Sequence, residues 1–139
     1  MRIVFFVGTF LFLITNVFGV ETKYIKFTNE MLVDKTFYMV EDNGYETVMK
    51  FYLQNNRLKV FYVIDYKGKL DETFTLSPTI NENGFIAITV FDRPTEFRLT
   101  KITDHAYIIK EHHYHSDKHK NILTWEFEKP KDFMAKNWD

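Results

Sequence analysis

All five histidines of the chain fall in one short stretch that ends at His119. Neutral imidazoles bind Zn²⁺, Cu²⁺ and Ni²⁺. On a β-strand, His113 and His115 would project from the same face, because alternate residues share a face. His119 would lie in the following loop and could fold back towards them, with Glu111 or Asp117 as an oxygen ligand. The spacing therefore permits a transition-metal site.

The stretch from His112 to His119 also has two other interpretations. Histidine is an ordinary residue at a polar strand end or in a solvated hairpin loop, and Lys110, Lys118 and Lys120 would repel a cation. The same residues could instead form a patch whose charge responds to pH. We favour surface residues without a ligand and predict no cofactor, with the metal site as an alternative.

A second candidate surface consists of aromatic residues at alternating strand positions, namely Tyr45, Phe51, Tyr62 and Phe74. In a sheet that rolls up, these side chains would face the interior. They would then line a ligand cavity or fill a solid core, since a small barrel has an interior that side chains can occupy. Both alternatives remain open at the level of sequence.

Signatures of catalysis are missing from the sequence. It contains no Gly-x-Ser-x-Gly elbow, no His-Glu-x-x-His helix and no phosphate-binding glycine loop. Glu126 and Glu128 could form a carboxylate pair, but glutamates at alternate positions are typical of a solvated strand face. Because the chain has no cysteine, thiol catalysis and zinc-thiolate sites are excluded. We predict no catalytic residues and no enzymatic activity.

The elements that would position these residues are short strands joined by tight turns. Asn43-Gly44 and Asn83-Gly84 are hairpin signals, and Ser77-Pro78 would end a strand because proline lacks a donor. Neighbouring strands with short connections form an antiparallel up-and-down meander, and eight of them can close into a barrel without exposed edges. The tail, residues 130–135, would form a short helix that lays Phe133 on the barrel. The eight predicted strands cover residues 35–41, 45–54, 58–66, 70–76, 85–91, 95–102, 106–115 and 122–128.

The N-terminus has the pattern of a secretory signal peptide. Arg2 precedes an apolar run, and Val17 and Gly19 suit a cleavage site after residue 19. An uncleaved anchor is the alternative, but the run is shorter than the roughly 20 apolar residues that a membrane span needs. We therefore predict a signal peptide over 1–19 and a single β-barrel domain over 20–139.

Composition limits the partners and the compartment. A formal net charge of −1 gives no electrostatic case for binding nucleic acid or an anionic membrane. The absence of cysteine excludes a lipid-modified N-terminal cysteine, so no membrane attachment is expected after cleavage. The absence of cysteines and of N-glycosylation sequons favours a location in a bacterial envelope. We expect a periplasmic or secreted protein.

The pattern resembles the lipocalin-like, or calycin, group of small exported barrels. The likeness rests on the signal peptide, the Phe37-Tyr38 pair in the first strand, the eight-strand meander and the C-terminal helical turn. The family's Gly-x-Trp signature and its usual disulfide are absent. The resemblance implies a non-enzymatic binding protein with a small hydrophobic or amphipathic ligand in the barrel mouth. The alternatives are a metal-binding envelope protein and a protein-interaction or inhibitor module that uses loops at one barrel end.

Overall fold

The structure is a computed structural model that describes residues 23–41, 43–114 and 116–133, without the side chains of Asp71 and residues 116–120. The predicted signal peptide, residues 1–19, lies outside the described residues and stays a prediction. Within the described part, no helix is long and apolar enough to span a membrane.

The described residues form one antiparallel sheet, which confirms the all-β prediction. Their only regular helix is a single 3-10 turn, Asn29–Met31. The order of strands across the sheet is β4-β3-β2-β1-β9-β8-β7-β6-β5. The strands are β1 (Thr36–Val40), β2 (Tyr45–Gln54), β3 (Arg57–Tyr66), β4 (Lys69–Leu76), β5 (Thr79–Ile80), β6 (Ile86–Val90), β7 (Arg93–Ile102), β8 (Ala106–His113) and β9 (Ser116–Glu126).

Three of the hairpins turn on two residues that both have positive φ, the geometry that matches the twist of the flanking strands. Asn55-Asn56 and Lys67-Gly68 suit it, since asparagine and glycine tolerate the left-handed region. The third turn uses Phe91, at φ 49°, and Asp92, at φ 62°. The predicted start of the next strand at residue 95 is therefore too late, because β7 begins directly after this turn at Arg93.

The sheet has nine strands rather than the predicted eight, and it is not closed by backbone pairing between β4 and β6 in the described residues. Strand β4 pairs with β3, and after Ser77-Pro78 the chain continues as β5, which pairs with β6. Proline has no N–H to donate, so the ladder breaks there and the chain changes partner. An open seam consequently separates β4 from the second half of β6, beyond Ile86 and Ala87, which pair with β5.

The sheet curves around one apolar core that takes residues from both halves of the strand order. Trp125, fully buried on β9, lies among the rings of Phe27, Phe37, Phe51 and Phe97 at centroid distances of 5.1 to 6.1 Å. Such contacts between large rings are a main source of stability in a sheet without disulfides.

One end of the curved sheet is covered by residues 25–33. Ile25 bridges to Leu99, and the Phe27 amide donates to the Gly84 carbonyl at 2.9 Å. The Tyr107 hydroxyl donates to the carbonyl of Met31 at 3.1 Å. The opposite end carries the turns after β1, β3, β6 and β8, and it is open. We call this end the mouth.

A smaller apolar cluster lies on the convex face of the sheet, where Phe133 packs against Val48 and Val63. Its ring is 5.8 Å from that of Tyr38. The chain reaches this position through a turn in which the Phe133 amide donates to the Pro130 carbonyl at 3.0 Å. Phe133 thus lies on the sheet as predicted, but residues 130–133 form a turn rather than the predicted helix, and residues 134 and 135 fall outside the described residues.

Candidate functional site

The mouth contains a cavity of about 450 Å³ between the two halves of the sheet. Strands β2, β3 and β4 supply one wall, and β7 and β8 supply the other. Hairpin geometry explains this placement, because residues two apart on a strand face the same side and the inward residues nearest the turns meet at the open end. The first wall is mainly aromatic and the second is mainly polar.

The aromatic wall consists of Tyr45, Tyr62 and Phe74, and it is extended by Phe91 from the turn between β6 and β7. The rings of Tyr62 and Phe74 are stacked, with centroids 5.1 Å apart and an angle of 12° between planes. The ring of Phe91 meets that of Phe74 at 5.2 Å across the open seam. Ring contacts therefore span the place where backbone pairing is missing.

Three of the four predicted ligand-binding aromatics, Tyr45, Tyr62 and Phe74, line this cavity. Phe51 does not line the cavity, because it lies six residues after Tyr45 on β2, which is about 20 Å further from the mouth at roughly 3.3 Å per residue. It packs in the core, 5.7 Å from the ring of Phe37. The interior is thus filled around Phe51 and hollow at the mouth, and the binding of a ligand by these residues stays a prediction.

The sequence pattern does not single out Phe91, because it predicts this residue as the last of a strand rather than as part of a turn. Its side chain is 59% exposed, and its positive φ costs about 1–2 kcal/mol in a residue with a Cβ. A strained, exposed aromatic at a cavity rim is a feature found at binding sites. The signal in the sequence is Asp92, a residue that favours turns, shortly after the β-branched run that ends at Val90.

The polar wall is organised around His113. Its Nε2 lies 2.8 Å from Glu111 Oε1, and its Nδ1 lies 3.1 Å from Thr95 Oγ1. Asn121 Nδ2 donates to the same Glu111 oxygen at 3.2 Å. These bonds hold the ring and the carboxylate in fixed orientations at the cavity.

The order Thr95–His113–Glu111 resembles that of a nucleophile, a base and an orienting acid. However, Thr95 is only 1% exposed, and its hydroxyl also donates to the Arg93 carbonyl at 3.1 Å. The proton that a base would remove is thus shared with a backbone acceptor. The arrangement is better suited to positioning polar groups than to activating the threonine.

The structure describes only one of the three predicted metal ligands, His113, in full. Both ring nitrogens of His113 already have hydrogen-bond partners, so coordinating a metal would break one of these bonds. His115 lies outside the described residues. His119 lies on strand β9 rather than in the predicted loop, and its side chain is not described. Among described residues, no group of three or more His, Cys, Asp or Glu could hold a metal ion. The predicted trio stays a prediction.

Electrostatics at the cavity is dominated by carboxylates near a buried phenol. Burial, followed by the negative charges of Glu111 and Glu41, raises the pKa of Tyr62 far above its ordinary value. The Tyr62 hydroxyl is therefore neutral throughout the physiological range. Arg93, at the exposed rim, contributes the opposite charge.

Thr47 places an unpaired polar atom in the cavity wall. The residue is 2% exposed, and its Oγ1 has no hydrogen-bond partner in the described part of the chain. A buried hydroxyl without a partner costs about 1–3 kcal/mol, and valine of nearly the same shape would avoid this cost. This wall of the cavity therefore contains a polar atom whose hydrogen-bonding capacity is unused within the described residues.

Comparisons of the chain with protein-family models, with curated proteins and with solved structures found no match in any of the three.

Proposed function

We propose that this protein is an exported, non-enzymatic binding protein that holds a small amphipathic molecule in the mouth of a lipocalin-like barrel. The observation that carries the proposal is the cavity itself, in which a mainly aromatic wall that also carries the unpaired Thr47 hydroxyl faces a polar wall. The apolar body of a ligand would lie on the rings, and its polar group would meet Thr47 and the groups around His113.

The size and composition of the cavity support this proposal. Its volume of about 450 Å³ falls in the range of small-molecule sites, which are usually about 300–1,000 Å³ and mainly apolar with a few convergent polar groups. The hydrogen bonds around His113 orient the polar groups before a ligand arrives. Pre-organisation of this kind lowers the entropic cost of binding.

Export is the second part of the proposal, and it rests on the predicted signal peptide. A protein that works in the periplasm or outside the cell meets small molecules directly and needs no cytosolic cofactor. Expression of the full chain, followed by N-terminal sequencing of the exported product, tests this part. A mature protein that begins at Val20 is expected, and retention of residues 1–19 would contradict it.

Fluorescence of Trp125 offers a direct test of binding. The Trp125 ring lies 5.1 Å from that of Phe97, a cavity-lining residue, and the chain has only one other tryptophan, Trp138. In a Trp138→Phe background, titration with pyrenemethanol, an uncharged amphipathic probe, should give saturable energy transfer from Trp125. Absence of saturable binding would refute the proposed function.

A pair of matched variants locates the site. Phe91→Ala removes an exposed ring at the rim and should weaken probe binding about fivefold to tenfold, as expected for the loss of one aromatic contact. Leu53→Ala removes a side chain that is also exposed, at 43%, near the opposite end of β2, and should leave binding unchanged. Equal effects of the two variants would show that the probe binds elsewhere.

A further inference from the structure

The chemistry of the mouth cavity also indicates what charge its ligand carries, an inference that rests on the proposed function. Two carboxylates lie at the cavity, from Glu41 and Glu111. Glu111 is held in place by His113 and Asn121. The only basic side chain with a fixed charge that lines the cavity, within the described residues, is Arg93, and it lies at the exposed rim. The interior side is therefore acidic.

The aromatic wall favours a cation for an independent reason. The faces of aromatic rings carry negative partial charge and attract an ammonium within about 6 Å of the ring centroid. Tyr45, Tyr62, Phe74 and Phe91 together present such rings on the wall opposite Glu111. An anion would meet both the ring faces and the two carboxylates, and both interactions would be repulsive.

Thr47 supplies a third, separate observation. Its Oγ1 is buried, unpaired and able to accept a hydrogen bond. A protonated primary amine has three N–H donors and no acceptor, so it is the simplest group that satisfies a threonine hydroxyl and carboxylates together. A ligand alcohol could bond to Thr47 as well, but it carries no charge that the carboxylates would attract.

The carboxylates can be reached from a second side. Strands β1 and β9 pair only at Tyr38 and Glu126, so they separate towards the mouth. The opening between them has a volume of about 550 Å³ and shares Glu41, Asn43 and Glu111 with the mouth cavity. An incoming cation thus has access to Glu111 through the wall as well as through the mouth.

We propose that the mouth cavity binds a small amphipathic molecule with a protonated primary amine, its apolar body on the aromatic wall and its ammonium between Thr47 and the carboxylates of Glu41 and Glu111. The ligand class is defined by this chemistry: a compact aromatic or aliphatic body with one cationic head.

Three probes with the same phenyl body and different heads test the charge preference. Calorimetry near neutral pH should show phenethylamine binding at least tenfold more tightly than phenylethanol, with phenylacetate weakest. Tenfold corresponds to about 1.4 kcal/mol, a modest value for one charged contact. Binding of the alcohol or the acid as tightly as the amine would overturn the inference. The inference would also be overturned if pyrenemethanol binds but none of the three phenyl probes does, and in that case the proposed function still stands. If none of the four probes binds, both the inference and the proposed function are overturned.

Variants of the acceptors assign the site. Glu111→Gln keeps an oxygen for Asn121 and should weaken phenethylamine binding about tenfold while changing phenylethanol binding less than twofold. Thr47→Val should weaken amine binding without lowering the melting temperature, because it removes an unsatisfied hydroxyl. Glu82→Gln, an exposed carboxylate in the turn before β6, is the control and should leave both affinities unchanged. A Glu111→Gln variant that binds phenethylamine as tightly as the Glu82→Gln control does would contradict the placement of the ammonium at Glu111.

Discussion

Replacing Glu96 with glutamine tests the polar network that ties β7 to its neighbouring turns. Glu96 is 4% exposed. Its Oε1 accepts a hydrogen bond from Arg98 Nε at 2.7 Å, and its Oε2 accepts one from Asn81 Nδ2 at 3.1 Å and another from the Tyr114 hydroxyl. The carboxylate therefore links β7, the turn before β6 and the turn after β8.

The network favours the ionised form of Glu96. Burial alone would raise the pKa of this carboxyl, but the hydrogen bonds from Tyr114, Arg98 and Asn81 and the charge of Arg98 outweigh it and lower the pKa below 4.5. A folded-state pKa below the unfolded value means that ionised Glu96 stabilises the fold above about pH 4.5. This contribution is lost as the pH falls through the folded-state pKa.

The expected loss on Glu96→Gln near neutral pH is about 2 kcal/mol in the free energy of unfolding. Hydrogen bonds to a charged group contribute about 1.5–3 kcal/mol each, but glutamine keeps one acceptor oxygen, and the Arg98 side chain is 25% exposed, which weakens its share through solvent screening. Below about pH 4.5, the difference between wild type and variant should shrink by up to about 1.4 kcal/mol per pH unit.

Urea unfolding of the mature chain, followed by Trp125 fluorescence near neutral pH and at about pH 3.5, measures both quantities. Glu82→Gln serves as the control because that side chain is exposed. A Glu96→Gln variant as stable as the control near neutral pH would refute the network as a source of stability. A loss of the same size at both pH values would show that the ionised carboxylate is not what the network stabilises.

Three further predictions concern stability and the cavity rim. In Gly84→Ala, at φ +78°, the new Cβ would lie 2.5 Å from the Lys26 side chain and 2.7 Å from its Cα. Thermal denaturation should therefore show that the free energy of unfolding falls by more than about 2 kcal/mol. The control Gly44→Ala, whose Cβ would lie 3.6 Å from the Tyr66 ring, should lose about 1 kcal/mol. Equal losses would mean that Gly84 is not a close approach. Asp65→Asn should raise the free energy of unfolding in chemical denaturation by about 1 kcal/mol, because both oxygens of this fully buried carboxylate lack hydrogen-bond partners in the described part. A lower free energy of unfolding would show that the charge is compensated. Phe91→Asn should raise the free energy of unfolding by about 0.5–1 kcal/mol, since asparagine tolerates positive φ. The same substitution should weaken pyrenemethanol binding. A less stable variant with unchanged binding would show that Phe91 is neither strained nor part of the binding site.

The candidate site was only partly predictable, and the reason lies in distance along the strand. Tyr45 and Phe51 share one face of β2, and the alternating pattern identifies them equally well. Which of them reaches the cavity depends on their distance from the mouth, and Phe51 is packed under Trp125 at 5.9 Å. One partner of His113 also comes from tertiary structure, because Thr95 belongs to the neighbouring strand β7, whereas Glu111 lies two residues away on the same strand.

The sequence by itself determined the class of fold and most strand boundaries. Alternating apolar residues and pairs such as Asn43-Gly44 act over a few residues, so their effect is local and can be read without the rest of the chain. The signal peptide is likewise a local pattern, and it stays a prediction on that basis.

Tertiary structure alone decided how the strands surround a space. Segments far apart in sequence are joined by the single backbone pair of Tyr38 with Glu126, by the change of partner at Pro78 and by the ring of Phe91 across the seam. Such contacts depend on sheet curvature and side-chain volume summed over many strands, which no local pattern encodes. They produce the open mouth and its cavity, and with them the function proposed for this chain.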